Sequence, residues 1–460
     1  MGAAIEALYY SDCCGADEGI LSFSDDEPAI PPRPTLNLKQ LTERALKNVY
    51  EGLEGRIEAA TWEAAAETML AAVEAGISFD YNSPNLPLAL KLGQSGLWFA
   101  ARRSYAQADE LAQLLEKNGT KRSFSEFKKL AKPIAGKYNN RWLQTEYTTA
   151  VRSARMATIW EGMKRTQDLY PNAEYIRSRA AHPRESHLKY VGIIRPLSDP
   201  WWHSHTPPLD WNCMCSVRPS NKEATNLPAD LPAPKAGLGN NSAIDQTLFS
   251  ENHPYVEKAK KVEVELKKEF YDLRGKMGQY FKVRTPKGEL ILIHPSHPIR
   301  DIPDNLPIAA ELSEMGEKVI LPAKPRPDKR DFDFVINNIF SDLKTPGTGA
   351  SKSKEPYTLF HEYNRDCNDK AKSVGVEKCI ALVDIRQEAR FVLNDFVRGL
   401  PGAFYRTEKG EKVNAAKRVI EIWIIDFNNV IHKFTREQVQ NGQYREGIKS
   451  IVLYNDQRQL

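Results

Sequence analysis

Two groups of residues in this 460-residue chain can carry chemistry. The sharper is Asp333-Phe-Val-Ile-Asn-Asn-Ile-Phe-Ser-Asp342-Leu-Lys344. Asp342 and Lys344 are two positions apart, so on a strand both side chains leave the same face. Asn337-Asn338 separates two strand-like runs and predicts a hairpin that returns Asp342 to the neighbourhood of Asp333. Two clustered carboxylates hold a hard divalent cation, Mg²⁺ or Mn²⁺, through oxygen. Such an ion polarises a phosphate, acidifies its own water and stabilises the leaving oxygen. Lys344 would add a fixed positive charge at the attacked phosphate.

The second group is His203, His205, Cys213 and Cys215, an HxH…CxC set that can bind Zn²⁺ tetrahedrally. A loop this dense in Trp and Pro can also be held by packing alone, and the sequence leaves both readings open. Other polar clusters read more plainly. His182 and His187 among Arg177, Arg179 and Arg184 read as a solvated basic turn. Lysines and arginines at 324–330 and 352–354 flank the acidic strands and either guide a phosphate backbone or form charged loops. His361, Glu362, Asn364 and Asp366 follow on one helix, either as a solvated face or with one member serving the acidic site. His294 and His297, with Pro295 and Pro298, mark a structured turn. His432 is expected to face outward from an edge strand, and Cys367 and Cys379 to be buried thiols.

The elements that must position these residues follow from periodicity. Residues 1–35 are small, polar or acidic, end in prolines and read as a flexible arm. From Leu36 to about Tyr170 the apolar spacing is helical: Leu38, Leu41, Ala45, Leu46, Val49 and Leu53 share one stripe. Ser123 with Glu126 forms a capping-box signature. Trp142, Leu143, Tyr147, Ala150, Ala154 and Trp160 share a broad apolar face on the next helix. Residues 175–219 turn irregular, rich in Pro, aromatic residues and His. Residues 223–250 read as a linker of Pro, Gly, Asn and Ala. A charged helix and a strand pair follow to 289, and an α/β pattern runs from there.

Composition narrows the class. Apolar residues make up 41% and charged residues 27%, and the net charge is +4, so no strong field marks the whole chain as a nucleic-acid binder. No run reaches the apolar length of a membrane span, and the N-terminus lacks the pattern of a secretion signal. The six cysteines fall in close pairs or alone, which is no disulfide framework and points to synthesis in a reducing cytoplasm.

Three resemblances join these readings. Residues 138–160 and 175–219 together resemble the head-morphogenesis domain of the phage Mu F family. The matching elements are the Trp–Thr-Glu-Tyr–Ala helix, Arg179 followed by His187, then Gly192, Asp199-Pro200-Trp201-Trp202, and Pro207-Pro208-x-x-Trp211-Asn212-Cys213-x-Cys215. The resemblance implies a few-copy virion protein inside the capsid near the portal, with portal and procapsid proteins as partners. Residues 333–344 resemble the PD-(D/E)xK nuclease signature, although Phe332 stands where Pro is usual. That likeness implies an α/β restriction-endonuclease-like domain and a third metal carboxylate from the preceding helix, here Glu311 with Glu314 second, beside Asp333 and Asp342. The layout of residues 290–445 is similar to the C-terminal nuclease toxins of contact-dependent inhibition systems. It implies tRNA rather than DNA as substrate, and a cognate immunity protein.

The expected architecture is therefore multidomain. An arm over 1–35 precedes a Mu F-type head-morphogenesis domain over 36–222, helical at first and then an irregular α+β module. A linker over 223–250, a connecting helix and hairpin over 251–289, and a nuclease-like effector domain over 290–460 complete it. The alternative is a purely structural virion protein whose C-terminal domain is inactive or only binds nucleic acid.

Overall fold

The computed structural model describes residues 29–453, apart from 54, 179, 181, 325–330, 347–353, 387–389 and 409–410. Arg179, Cys13, Cys14 and most of the arm therefore lie outside the described residues. The chain divides into two compact units, residues 1–279 and residues 280–460.

Unit 1 is built on helices α1 (Leu38–Glu51), α2 (Ala59–Gly76), α3 (Leu86–Ala112), α4 (Phe124–Gly136) and α5 (Leu143–Arg165). A two-stranded ribbon, β1 (Glu116–Lys117) and β2 (Thr120–Lys121), joins α3 to α4. Ser123 and Glu126 close the expected capping box at the start of α4, which satisfies two orphan N–H donors. Small residues let α2 pack closely: Ala65, Ala66 and Ala72 are fully buried. A Cβ added at Gly76 would meet the Cβ of Ala154 on α5 at 2.5 Å.

Helix α5 is buried on most sides, and even its Glu146 lies inside, bonded to Arg103 of α3 at 2.7 Å. Burial of an ion pair is tolerated when its remaining lone pairs are used. Here Tyr255 donates its hydroxyl to Glu146 Oε1 at 3.0 Å.

After α5 a three-stranded antiparallel sheet forms, in the order β4 (Ile194–Pro196), β3 (Asn172–Ile176), β5 (Ser216–Ser220). The short helices α6 (Glu185–Leu188) and α7 (Trp202–His205) lie between its strands. Tyr175 stacks with Tyr190 and Trp202, and the buried Trp211 packs on Phe249, so packing of rings replaces regular structure.

Residues 223–230 of the linker expected at 223–250 are mostly exposed, but its second half is part of the unit 1 core. Leu238, Leu248 and Phe249 are buried, and the Leu248 amide donates to Ser95 Oγ on α3 at 3.1 Å. Pro and Gly here serve turns rather than freedom: Gly237 at φ +92° leaves its missing Cβ only 2.6 Å from the ring of His253. Helices α8 (Pro254–Ala259) and α9 (Glu263–Arg274) also belong to unit 1, where they pack on α3.

Unit 2 starts at Tyr280, ahead of the expected boundary at 290. The strand pair expected to connect is β6 (Phe281–Arg284) and β7 (Leu290–Ile293), the first two strands of a mixed eight-stranded sheet. Strands β8 (Val319–Leu321), β9 (Phe334–Ile336) and β10 (Ile339–Lys344) form an antiparallel meander, with β7 parallel to β8. Strand β11 (Cys379–Asp384) lies parallel to β10, β14 (Val419–Ile425) lies parallel to β11, and β15 (Ile431–Thr435) closes the edge antiparallel to β14.

Helix α10 (Ile302–Glu314) precedes β8, α11 (Pro356–Ser373) makes the crossover from β10 to β11, and α12 (Leu393–Phe404) packs against α11. A hairpin of β12 (Tyr405–Glu408) and β13 (Glu411–Asn414) and two short helices, α13 (Arg436–Gln440) and α14 (Tyr444–Ile448), were not expected. Strands β10 and β11 are covered by α11 and α12 through Phe340, Leu359, Phe360, Cys379, Ala381 and Phe396. Buried parallel strands require such cover. Among the described residues no helix is long and apolar enough to cross a membrane.

Candidate functional site

The acidic site of unit 2 is set by a hairpin. Asn337 and Asn338 both adopt positive φ, +49° and +67°, as a two-residue turn between strands of right-handed twist requires. Asn tolerates this region because its side chain bonds locally. The hairpin brings the chain back so that the Leu343 amide donates to Asp333 Oδ2 at 3.0 Å. Asp342 and Lys344 leave β10 on one face, and Lys344 Nζ lies 2.8 Å from Asp342 Oδ2.

Asp342 is fully buried, and β10 lies in the middle of the sheet. Its charge is met by lysines from two elements, Lys344 on the same strand and Lys370 on α11, whose Nζ lies 2.5 Å from Oδ1. Lys344 also pairs with Asp366 of α11. Asp333 is held by Lys324 at 2.9 Å, and Lys324 reaches Asp301 at 3.1 Å. Alternating carboxylates and ammonium groups thus run across the face, as burial of several charges demands.

The protonation equilibria follow from this geometry. Burial raises the Asp342 carboxyl above the usual Asp range, outweighing the pull of Lys344 and Lys370. Burial acts on Asp333 in the same direction, but Lys324 and Lys370 overcome it and hold that carboxyl low. Lys344 loses solvation too, yet Asp342 and Asp366 keep it charged well above its ordinary value.

The third expected metal ligand stands apart. Glu311 Oε1 accepts from Arg386 at 2.7 Å, and Arg386 also binds Asp384. Glu311, Asp333 and Asp342 do not gather within 4.8 Å of one another; among the described residues the one such trio of potential ligands is elsewhere. Glu311 Oε2 nevertheless remains buried without a hydrogen bond, and Asp342 Oδ2 is met by the Lys344 ammonium. Hard oxygen donors of this kind fit a divalent cation.

Sequence reasoning missed Lys370 and Lys324 as members of the site. Lys324 stood among the flanking basic residues, but nothing marked it as the partner of Asp333. The rest of that stretch, 325–330, and residues 352–353 lie outside the described residues, and Lys354 pairs with Glu362. Of the α11 candidates, Asp366 does join the site, whereas Asn364 is buried and donates to the Ala403 carbonyl at 3.0 Å.

His432 does not face outward: its side chain is 8% exposed and its Nε2 lies 2.8 Å from the buried Asp426. His294 and His297 are buried in a structured turn, with His297 Nδ1 3.0 Å from the Pro322 carbonyl. Cys367 and Cys379 are buried thiols whose sulfurs lie 3.1 Å apart.

In unit 1 the expected set of His203, His205, Cys213 and Cys215 does not assemble. His205 stacks on Trp201 with ring centroids 4.7 Å apart and bonds Ser204 through Nδ1, and His203 is exposed. The imidazole that meets the two cysteines is His187. Its Nδ1 lies 3.4 Å from Cys213 Sγ and 3.4 Å from Cys215 Sγ. The basic turn expected here is solvated only in part: Arg177 and His182 are exposed, but His187 is buried and Arg184 pairs with the buried Asp210. Cys215 and then His187 hold the Cys213 thiol well below its ordinary range against the opposing effect of burial.

Part of the chain is similar to the F proteins of phage Mu and of a Mu-like prophage. It is 35% identical over 78 residues to the capsid assembly protein F of Escherichia phage Mu, and these residues are 17% of this chain and 18% of the relative. It is 36% identical over 75 residues to the Mu-like prophage FluMu F protein of Haemophilus influenzae, 16% of this chain and 17% of the relative. The chain thus spans under a fifth of the length of either relative. No protein-family model and no solved structure matches it.

Proposed function

We propose that this chain is a phage head-assembly protein of the virion interior, near the portal, that carries a metal-dependent nuclease as unit 2. The head-assembly reading rests on the 35% identity to the Mu capsid assembly protein over 78 residues. Its partners are then portal and procapsid proteins. Detection of the chain in procapsids of its own phage tests this, and its absence from them overturns it.

One observation carries the nuclease reading: Asp333 and Asp342, on neighbouring strands of one hairpin, share a buried face with Lys344. Support comes from the order of elements, in which a helix (α10), a three-strand meander (β8–β10), a crossover helix (α11) and a parallel strand (β11) follow one another. That order suits a restriction-endonuclease-like core. Asp333 and Asp342 would hold Mg²⁺ or Mn²⁺, with Glu311 joining if Arg386 releases it. The ion, when bound, supplies the polarised phosphate and the acidified water. Lys344 stays charged across the working pH range and sets positive potential where the scissile phosphate gains charge. Lys370, bonded to Asp342 Oδ1, neutralises the carboxylate while the site is without substrate. We take tRNA as a better substrate than DNA, with a cognate immunity protein as partner.

The test uses the full chain with total tRNA and with linear DNA, in Mg²⁺ or in EDTA, beside Asp342→Ala and Lys344→Ala. Cleavage that needs the metal and is lost in both variants supports the reading. No cleavage by a folded chain that binds no Mg²⁺ leaves a structural virion protein.

A further inference from the structure

We propose that unit 1 binds one zinc ion through His187 Nδ1, Cys213 Sγ and Cys215 Sγ, with the fourth position left to a water molecule. The CxC segment just ahead of β5 and the short helix α6 converge to make this trio. It is the one group of three or more potential ligands within 4.8 Å of one another among the described residues.

The distances suit a tetrahedral ion. With Zn–S of about 2.3 Å and Zn–N of about 2.1 Å, the N···S edge of a tetrahedron is about 3.6 Å. The two observed N···S separations are both 3.4 Å. Hydrogen bonding alone explains this less well. One ring nitrogen faces two sulfurs at equal distance, and a neutral imidazole nitrogen either donates a single proton or accepts through a single lone pair. A cation between the three atoms uses all of them at once.

The surroundings hold the trio in place without a metal. Arg152 of α5 donates from Nη1 to the Asn212 carbonyl at 2.6 Å, and Thr149 Oγ1 accepts the Asn212 amide at 3.0 Å. Asn212 sits at φ +60°, which turns the chain so that Cys213 enters the interior. On the other side Arg184, just before α6, donates to the Trp211 carbonyl at 3.0 Å. These bonds orient the ligands, as outer contacts of metal sites do. Cys213 and Cys215, just ahead of β5, both turn their sulfurs toward His187. Cys213 is buried and Cys215 half-buried, so the site lies just under the surface.

Two soft thiolates and one imidazole favour zinc over the hard cation proposed for unit 2. The ion would clip the segment after the aromatic-rich turn to helix α6, closing a loop that has little regular structure of its own. Metal affinity of this kind adds directly to folding stability.

The test is on the full chain, purified without chelator and then titrated with ZnSO₄. Mass spectrometry under native conditions and elemental analysis should give one zinc per chain. His187→Gln, Cys213→Ser and Cys215→Ser should each lower the occupancy at least tenfold, while His203→Gln with His205→Gln should leave it unchanged. Cobalt(II) titration of the unaltered chain guards against variants that fail to fold. It should give the intense visible bands of a tetrahedral centre and a thiolate-to-cobalt charge-transfer band. A chain that takes up no zinc and shows only octahedral cobalt overturns the proposal, as does zinc that is lost with His203 and His205 rather than with His187.

Discussion

The two lysines on Asp342 offer the most direct test of how the unit 2 site is balanced. Replacing Lys370 by Met keeps the aliphatic stem and removes the ammonium 2.5 Å from Asp342 Oδ1. The variant then has two routes. It can keep the buried carboxylate ionised and lose an attraction worth roughly 4 kcal/mol for charges about 4 Å apart at an effective dielectric of about 20. Or it can protonate Asp342, which at pH 7 costs about 4 kcal/mol for a group that ionises near 3.9 in the unfolded chain. Lys344 remains 2.8 Å from the other oxygen and softens the first route. The expected loss at pH 7 is therefore about 2–4 kcal/mol, below the full cost of stranding a buried charge.

For a unit of this size that corresponds to a fall in melting temperature of roughly 5–15 °C. Acidification should narrow the gap. The folded-state pKa of Asp342 is raised, so its protonated form favours the fold, and that contribution fades as pH rises through the folded pKa. At pH 5 the protonation route costs only about 1.5 kcal/mol. Calorimetry at pH 5 and pH 7, with hydrogen exchange on peptides of β10 and α11 to confirm which unit responds, reads the effect. A deficit under about 0.5 kcal/mol at pH 7, or one of equal size at both pH values, would refute the charge balance argued here. Mg²⁺ should also stabilise the variant more than the parent, because Oδ1 is released.

Three further outcomes follow from other parts of the molecule. His297 is buried and its pKa is pushed down to about 4, chiefly by burial, so it stays neutral in the fold. The unfolded chain gains protons below about pH 6.5, and unit 2 should lose about 2 kcal/mol between pH 7 and pH 5 from this group; urea unfolding of His297→Gln should show a flatter profile over that window. In unit 1, Arg103→Met removes the guanidinium 2.7 Å from the buried Glu146 carboxylate and should cost about 3–5 kcal/mol, while Arg103→Met with Glu146→Leu should recover most of it. Thermal unfolding of the three proteins distinguishes a paired charge from mere volume. Gly399 of α12 would place a Cβ 2.6 Å from the Phe360 ring and 2.8 Å from the Tyr357 carbonyl. Gly399→Ala should therefore lower the stability of unit 2 by about 1–3 kcal/mol, measured as a shift in urea midpoint at constant slope.

Local physics made a large part of this molecule legible from its sequence. Asn337-Asn338 between two apolar runs is turn chemistry, and the i, i+2 relation of Asp342 and Lys344 is the period of a strand. Those two facts bring Asp333, Asp342 and Lys344 together without reference to the rest of the chain. The box of Ser123 and Glu126 is equally local. The helices of 36–170 followed from a 3.6-residue period, and β11 and β14 from apolar runs that only buried strands explain.

Partner choice was decided by the tertiary structure. Lys370 reaches Asp342 because the crossover helix α11 returns over β10, a path that no spacing rule encodes. Glu311 sits on the expected helix, yet Arg386, from the loop after β11, takes its carboxylate. His187 and not His203 or His205 meets the CxC pair because Trp201 stacks with His205 and turns that ring away. The Pro- and Gly-rich stretch at 223–250 looked unable to bury anything, but a few apolar residues suffice when α3 already offers a surface for Leu248. Periodicity and turn chemistry are properties of neighbours in the chain, so sequence alone determined them. Which buried charge meets which partner depends on burial itself: a desolvated charge accepts whatever counter-charge the fold brings within reach, and only the folded chain supplies that list.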